Sequence, residues 1–142
     1  MYLVWLLLAL SIKQPKFCSC LPTRPMNDKQ YNEYTLIVQG KVKSVKDEKF
    51  ERVILLSVNT YFKGGSNDST VTIISPRESG ICGIFPKEGE QWLMFAYSNG
   101  NLYNTHLCTR TKNMNPEAWN YKKEEIERDI AFLMKKLKST SR

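Results

Sequence analysis

Apolar and polar positions alternate with a period of two through most of this sequence, and switch to a helical period only near its end. Residues 34–45 read Tyr-Thr-Leu-Ile-Val-Gln-Gly-Lys-Val-Lys-Ser-Val. Leu36, Val38 and Val42 fall on one face of this strand, with Gln39, Lys41 and Lys43 on the other. Gly40 inside the run predicts a bulge or a sharp coil. Residues 51–62 form a second strand rich in Val, Ile and aromatics, Thr70–Ser75 a third, Gln91–Tyr97 a fourth and Asn101–Thr109 a fifth. Lys46–Lys49 and residues 64–68 read as polar turns, and Asn99-Gly100 as a type I′ hairpin. Residues 76–90 are irregular and hold Cys82. After Pro116 the apolar positions become Trp119, Ile126, Ile130, Leu133 and Leu137, one helical stripe over about 116–138. Asn115 suits its cap and Pro116 its first turn. Five antiparallel strands followed by a helix predict a mainly β domain with a five-stranded Greek-key barrel of the OB type and a C-terminal helix. A flat sheet packed on one helix is the competing architecture.

Residues 2–11 are uncharged and almost wholly apolar. The run suits a signal-peptide core and falls short of the roughly 20 residues a spanning helix needs. Residues 1–17 are therefore expected to be a leader, with one domain over 18–142. No Lys or Arg precedes the apolar run. Cleavage after Ser11 places Ala9 and Ser11 at the small-residue positions. Cleavage after Phe17 places Pro15 and Phe17 there, a poorer site. The expected product is secreted, extracellular and monomeric, with no transmembrane segment.

Secretion changes how the cysteines are read. The sequence has four, Cys18, Cys20, Cys82 and Cys108. In an oxidising compartment these predict two disulfides. Cys18 and Cys20, one residue apart, close too tight a ring with each other, which leaves two pairings. In either, the run Cys18-Ser19-Cys20-Leu21-Pro22-Thr23-Arg24-Pro25 is pinned at two places, and Pro22 and Pro25 stiffen the backbone beyond Cys20. The expectation is a rigid, exposed ridge.

That opening resembles the mature N-terminus of the tissue inhibitors of metalloproteinases, within the broader netrin-like domain family. Leu36–Val42, Ser79-Gly80-Ile81-Cys82-Gly83, Trp92-Leu93-Met94-Phe95 with Asn99-Gly100, and Leu107-Cys108 resemble further stretches of that family in order and spacing. The likeness covers roughly residues 18–112. It implies an OB-like barrel with the pairs Cys18–Cys82 and Cys20–Cys108. It also implies a function, inhibition of a metalloendopeptidase. Cys18, as the first residue, would chelate the protease's catalytic zinc through its α-amino nitrogen and carbonyl oxygen. Ser19 would enter the specificity pocket, and Cys20, Leu21 and Pro22 would lie along the cleft. The family's third disulfide in this domain has no counterpart here. Where the family carries a cysteine-rich C-terminal domain, this sequence reads as an amphipathic helix. If residues 12–17 stay attached, the Cys18 nitrogen is an amide and a poor zinc ligand.

The remaining chemistry points elsewhere or nowhere. The net charge is +7, from 21 Lys and Arg against 14 Asp and Glu. Lys41, Lys43, Lys46, Lys49 and Arg52 form one basic cluster, and Lys135, Lys136, Lys138 and Arg142 another. They make an extracellular polyanion the alternative partner, for a netrin-like binding module without protease inhibition. Nucleic acid is not expected, since Tyr31, Tyr34, Trp92, Phe95 and Tyr103 fit core positions better than stacking platforms. The cysteine spacings disfavour a structural zinc site, which prefers close pairs. His106 is the only histidine. Its spacing to Cys108 permits a nucleophilic pair, but simple packing fits better, and no other catalytic set stands out. The chain is expected not to be an enzyme and to need no cofactor of its own. Asn67-Asp68-Ser69 is a glycosylation sequon in an apparent loop.

Overall fold

The computed structural model describes residues 18–142, so the expected leader and its cleavage lie outside the described residues. The elements are α1 (Asp28–Glu33), β1 (Leu36–Asp47), β2 (Glu51–Lys63), β3 (Thr70–Pro76), β4 (Gln91–Asn99), β5 (Leu102–Asn104), β6 (Lys112–Asn113) and α2 (Lys123–Thr140). Neighbouring strands run in the order β1-β2-β3-β5-β4, and β4 closes back on β1, so five strands form a closed OB-like Greek-key barrel. β6 is a two-residue strand that pairs with the start of β4, on the edge opposite β1. The ring is mixed rather than wholly antiparallel, because β3 and β5 pair in parallel through Ile73–Tyr103 and Ile74–Asn104.

Closure explains the burial pattern. Leu36, Val38, Val42, Ile54, Leu56, Ile73, Ile84, Trp92, Met94 and Ala96 fill the barrel. The alternate residues Ile37, Leu93 and Phe95 point out of it, yet they are buried too, with Met26, Tyr34, Phe62 and Leu133. Both faces of β1 and β4 are thus covered where the helices pack, which accounts for the unbroken apolar runs Leu36–Val38 and Trp92–Ala96. Gly40 sits at a register shift between β1 and β2, where a Cβ would meet the carbonyl oxygen of Ser57. The irregularity expected there is present, and the close backbone approach accounts for the glycine.

Three boundaries differ from expectation. The β4–β5 turn is centred on Gly100 and Asn101, with positive φ (62°) at Gly100 alone, the pattern of a type II′ turn rather than type I′. β5 ends at Asn104 instead of Thr109, because the Thr105 hydroxyl donates to the Phe95 carbonyl (2.8 Å) as the chain turns away. α2 begins at Lys123 rather than at 116. The Asn113 and Asn115 side chains accept from the backbone of Asn115 (2.9 Å) and Glu117 (3.1 Å), building turns instead of a cap. Trp119 consequently leaves the stripe and is 96% exposed, while Ile126 and Leu133 are buried. α1 begins with a capping box in which Asn27 and Gln30 bond each other's backbone N–H. No helix among the described residues is long and apolar enough to cross a membrane.

Candidate functional site: the double-stapled ridge

The parallel pairing of β3 with β5 decides where the cysteines meet. Both strands end at the same end of the barrel, so the segment after each delivers one cysteine there. After β3, a single 3₁₀ turn (Ser79–Ile81) leads to Cys82, whose φ of 66° is left-handed, and the Cys82 N–H donates to Ser79 O. Gly83 comes next because a side chain there would run into the Pro76 carbonyl. After β5, Thr105 N donates to Ile74 O (2.8 Å) and Leu107 N to Cys82 O (2.7 Å), so the second cysteine loop is bonded to the first. Cys108 N donates to His106 Nδ1 (3.2 Å). Thr105 and Thr111 both donate to the Phe95 carbonyl, anchoring the Cys108 loop to β4.

Cys18 is bonded to Cys82 and Cys20 to Cys108, with Cα separations of 5.2 and 5.1 Å. Ser19, Cys20, Leu21 and Pro22 are exposed, and Leu21 is 91% exposed. Among the described residues no backbone hydrogen bond engages residues 18–23. The ridge is therefore held by its two staples rather than by backbone pairing. Beyond it the chain returns to the domain through Arg24, whose carbonyl accepts from Arg110 Nη1 (2.7 Å), and through the buried Met26. A groove of about 640 Å³ lies behind the ridge, between Leu21–Arg24, α1 and the tyrosines Tyr34 and Tyr97. Burial pushes the Tyr34 phenol well above its ordinary pKa, so it stays protonated and accepts from Arg110 N (3.2 Å).

Behind the groove lies a charge cluster. Arg110 donates to both carboxylate oxygens of Asp129, at 3.2 and 2.5 Å, and Asp129 is fully buried. Lys112 Nζ adds a contact to Asp129 (3.1 Å) and donates to Arg110 O (3.0 Å). Burial lowers the Lys112 pKa, and Asp129 partly offsets this. Sequence reasoning does not find the Arg110–Asp129 pair. Its one signal is that Asp129 stands on the apolar face of the helix between Ile126 and Leu133.

The other candidate residues do not join the ridge. Lys41 and Lys43 are exposed on β1, Lys46 faces Glu48 (3.9 Å), and Lys49 lies over the Phe50 ring. Arg52 leaves that cluster, being buried and bonded to Asp47 and to Ile84 O (2.8 Å). In the second basic cluster Lys136 is drawn to Asp28 (2.6 Å) and the Tyr31 and Phe132 rings. Asn67 is exposed, with φ of 61°, between β2 and β3. Tyr34, Trp92 and Phe95 are buried and offer no stacking platform. His106 stacks on Tyr97, and burial lowers its pKa. Cys108 is oxidised, so no thiol is present for His106 to activate. The sulfurs of Cys18, Cys82 and Cys108 lie within 4.8 Å of one another, but all belong to disulfides and hold no lone thiolate for a metal.

No protein-family model matches this chain, and no curated protein matches its sequence.

Proposed function

We propose that the protein is a secreted inhibitor of a zinc metalloendopeptidase and acts through the ridge. The observation that carries this reading is the double staple: Ser19 and Leu21 are presented outward on a segment whose two cysteines are fastened to separate loops. A protease cleft reads extended backbone and alternate side chains. The ridge offers both with its ordering cost already met by covalent bonds, which favours association. Cys18, processed to a free terminus, supplies the α-amino nitrogen and carbonyl oxygen of a five-membered chelate. A catalytic zinc keeps one position for water, and the chelate takes that position and removes the nucleophile. Ser19 fills the pocket beside the metal, and Cys20, Leu21 and Pro22 run along the cleft. The amine binds unprotonated, and a free α-amino group has a pKa of about 7.7–8.0, so inhibition weakens as pH falls below that range.

The test is chemical. The secreted chain is mapped by mass spectrometry for its first residue and titrated against a zinc endopeptidase, beside a version carrying one extra alanine before Cys18. The expected product starts at Cys18 and inhibits. The extension converts the amine to an amide and weakens inhibition by at least about 100-fold, the loss of a direct metal bond. Equal inhibition by both forms, or a secreted chain starting at Ile12, rules out the chelate. Loss of all partner binding at high salt, with no inhibition, points to polyanion recognition by Lys41, Lys43, Lys46 and Lys49 instead.

A further inference from the structure

We infer that Arg110 is a positioning residue for the ridge, and that helix α2 acts on the ridge through it; the consequence for inhibition rests on the function proposed above. The guanidinium is a planar fork with donors in fixed directions. Asp129, fully buried on α2, takes two of them at 3.2 and 2.5 Å and so fixes the plane of the fork. The third direction then has one target, the Arg24 carbonyl at 2.7 Å. The backbone of Arg110 is itself located by its bond to the Tyr34 phenol.

The two disulfides control the ridge only as far as Cys20. From Leu21 to Pro25 the chain carries no staple, and the Arg110–Arg24 bond is the first fixed point after it. Pro22 and Pro25 restrict φ on either side of Thr23 and Arg24, so holding the Arg24 carbonyl also limits where Leu21 and Pro22 can point. Lys112 serves a separate purpose. Its bonds to Asp129 and to Arg110 O complete the carboxylate's partners without reaching the ridge. The groove lies between these parts, with Leu21 to Arg24 as one wall and Arg110 among its lining residues.

The experiment compares the full chain with Arg110→Lys and Asp129→Asn. Lysine keeps the charge and one bond to Asp129 but cannot reach both partners. Asparagine keeps the shape of Asp129 and gives up the bidentate pair. The primary readout is ¹⁵N relaxation of Leu21, Thr23 and Arg24, the residues of that stretch that carry an amide proton. In the parent these amides are expected near the rigid-backbone order parameter of about 0.85, and in both variants below about 0.6. Inhibition should weaken about 10-fold, while the amides of β1 and β4 stay rigid. The outcome that overturns the inference is a lower melting temperature with unchanged order at Leu21, Thr23 and Arg24, since the pair would then serve stability alone. Failure of both variants to fold overturns it in the same way. Because relaxation is measured without a protease, a parent chain that inhibits nothing refutes the proposed function and leaves this inference decided by the amides.

Discussion

Replacing Cys20 and Cys108 together by serine isolates what a staple contributes. Both residues are exposed, so the change opens no cavity and strands no buried group. What is lost is the restriction on the unfolded chain. The bridge spans a sequence separation of 88 residues. With Cys18–Cys82 still in place, however, the loop it closes runs through that bridge, from Cys20 to Cys18 and from Cys82 to Cys108. That loop is about 28 residues, which the chain-entropy relation converts to about 3.6 kcal/mol at 25 °C. Removing Cys18–Cys82 while Cys20–Cys108 stays opens the same composite loop, so it also gives about 3.6 kcal/mol. Each double-serine variant alone should therefore lose the same amount, and the bridge left behind then closes its full loop. Against a total of about 5–15 kcal/mol for a domain, either loss is severe. It corresponds to a drop in Tm of roughly 10–18 °C. Urea unfolding of the oxidised parent and of each variant measures the difference directly, with the slope of the transition checking that the unfolded state has expanded. A loss below about 1 kcal/mol, or a difference above about 2 kcal/mol between the two variants, would contradict the chain-entropy account. The first result would mean that the ridge is not stapled, the second that native packing of the loops, rather than chain entropy, sets the cost.

The packing and the charges give four more expected outcomes. Gly40→Ala should destabilise by about 1–3 kcal/mol in a thermal melt, because the new Cβ meets the Ser57 carbonyl and backbone yields poorly; an unchanged melt would mean that β1 and β2 are not so close there. Leu133→Ala should cost about 2–5 kcal/mol in urea unfolding, since this side chain is fully buried between α2 and the barrel. Trp119→Ala should move stability by less than about 0.5 kcal/mol in urea, as expected for a side chain that packs on nothing, whereas a loss of core size would restore it to the helical stripe. His106 gives a pH dependence with a definite sign. Its pKa in the fold lies below the ordinary 6.5, so the unfolded chain takes up the proton first, and stability present above pH 6.5 is lost as pH falls toward the folded value. His106→Asn should flatten that part of the stability–pH curve. It should leave the loss at lower pH, where Asp47, held below its ordinary 3.8 mainly by the hydrogen bond from Arg52, begins to protonate.

The long barrel strands β1, β2 and β3 are legible in the sequence because each keeps at least one face apolar at period two, whereas β5, three residues long, is legible in place but not in extent. β4 is legible for a different reason, since helix packing outside the barrel buries its second face and leaves an unbroken run. The short elements have no such signature. β6 is two residues long, and α1 shows itself only through Asn27 and Gln30. The start of α2 is ambiguous for a physical reason: Asn115-Pro116 satisfies the rules for a cap and equally those for a turn, and the side-chain bonds of Asn113 and Asn115 select the turn. The exposed ridge is readable from the cysteine and proline pattern, but the pairing is not, because spacing alone leaves two arrangements. What selects one is the parallel contact of β3 with β5, a long-range property that brings the two loops to one end of the barrel. The Arg110–Asp129 pair is equally long-range and leaves only one trace, an acidic residue on an apolar face.

These long-range features converge on one segment, Thr105 to Lys112. Thr105 extends the β3–β5 contact through its bond to Ile74, and its hydroxyl joins that of Thr111 on the Phe95 carbonyl. Leu107 fastens the segment to the Cys82 loop, and Cys108 holds Cys20. Arg110 reaches the ridge at Arg24 and the helix at Asp129. A shift anywhere in these residues would therefore move both ends of the exposed run together, not one end alone. This explains why the segment is irregular yet carries so many side-chain bonds to backbone carbonyls: a regular β5 continuing to Thr109 would alternate its side chains across the sheet, and Cys108 and Arg110 would share one face. The turn instead sends the cysteine outward to the staple and the arginine inward to the buried carboxylate, which are the two directions the ridge needs to be held from.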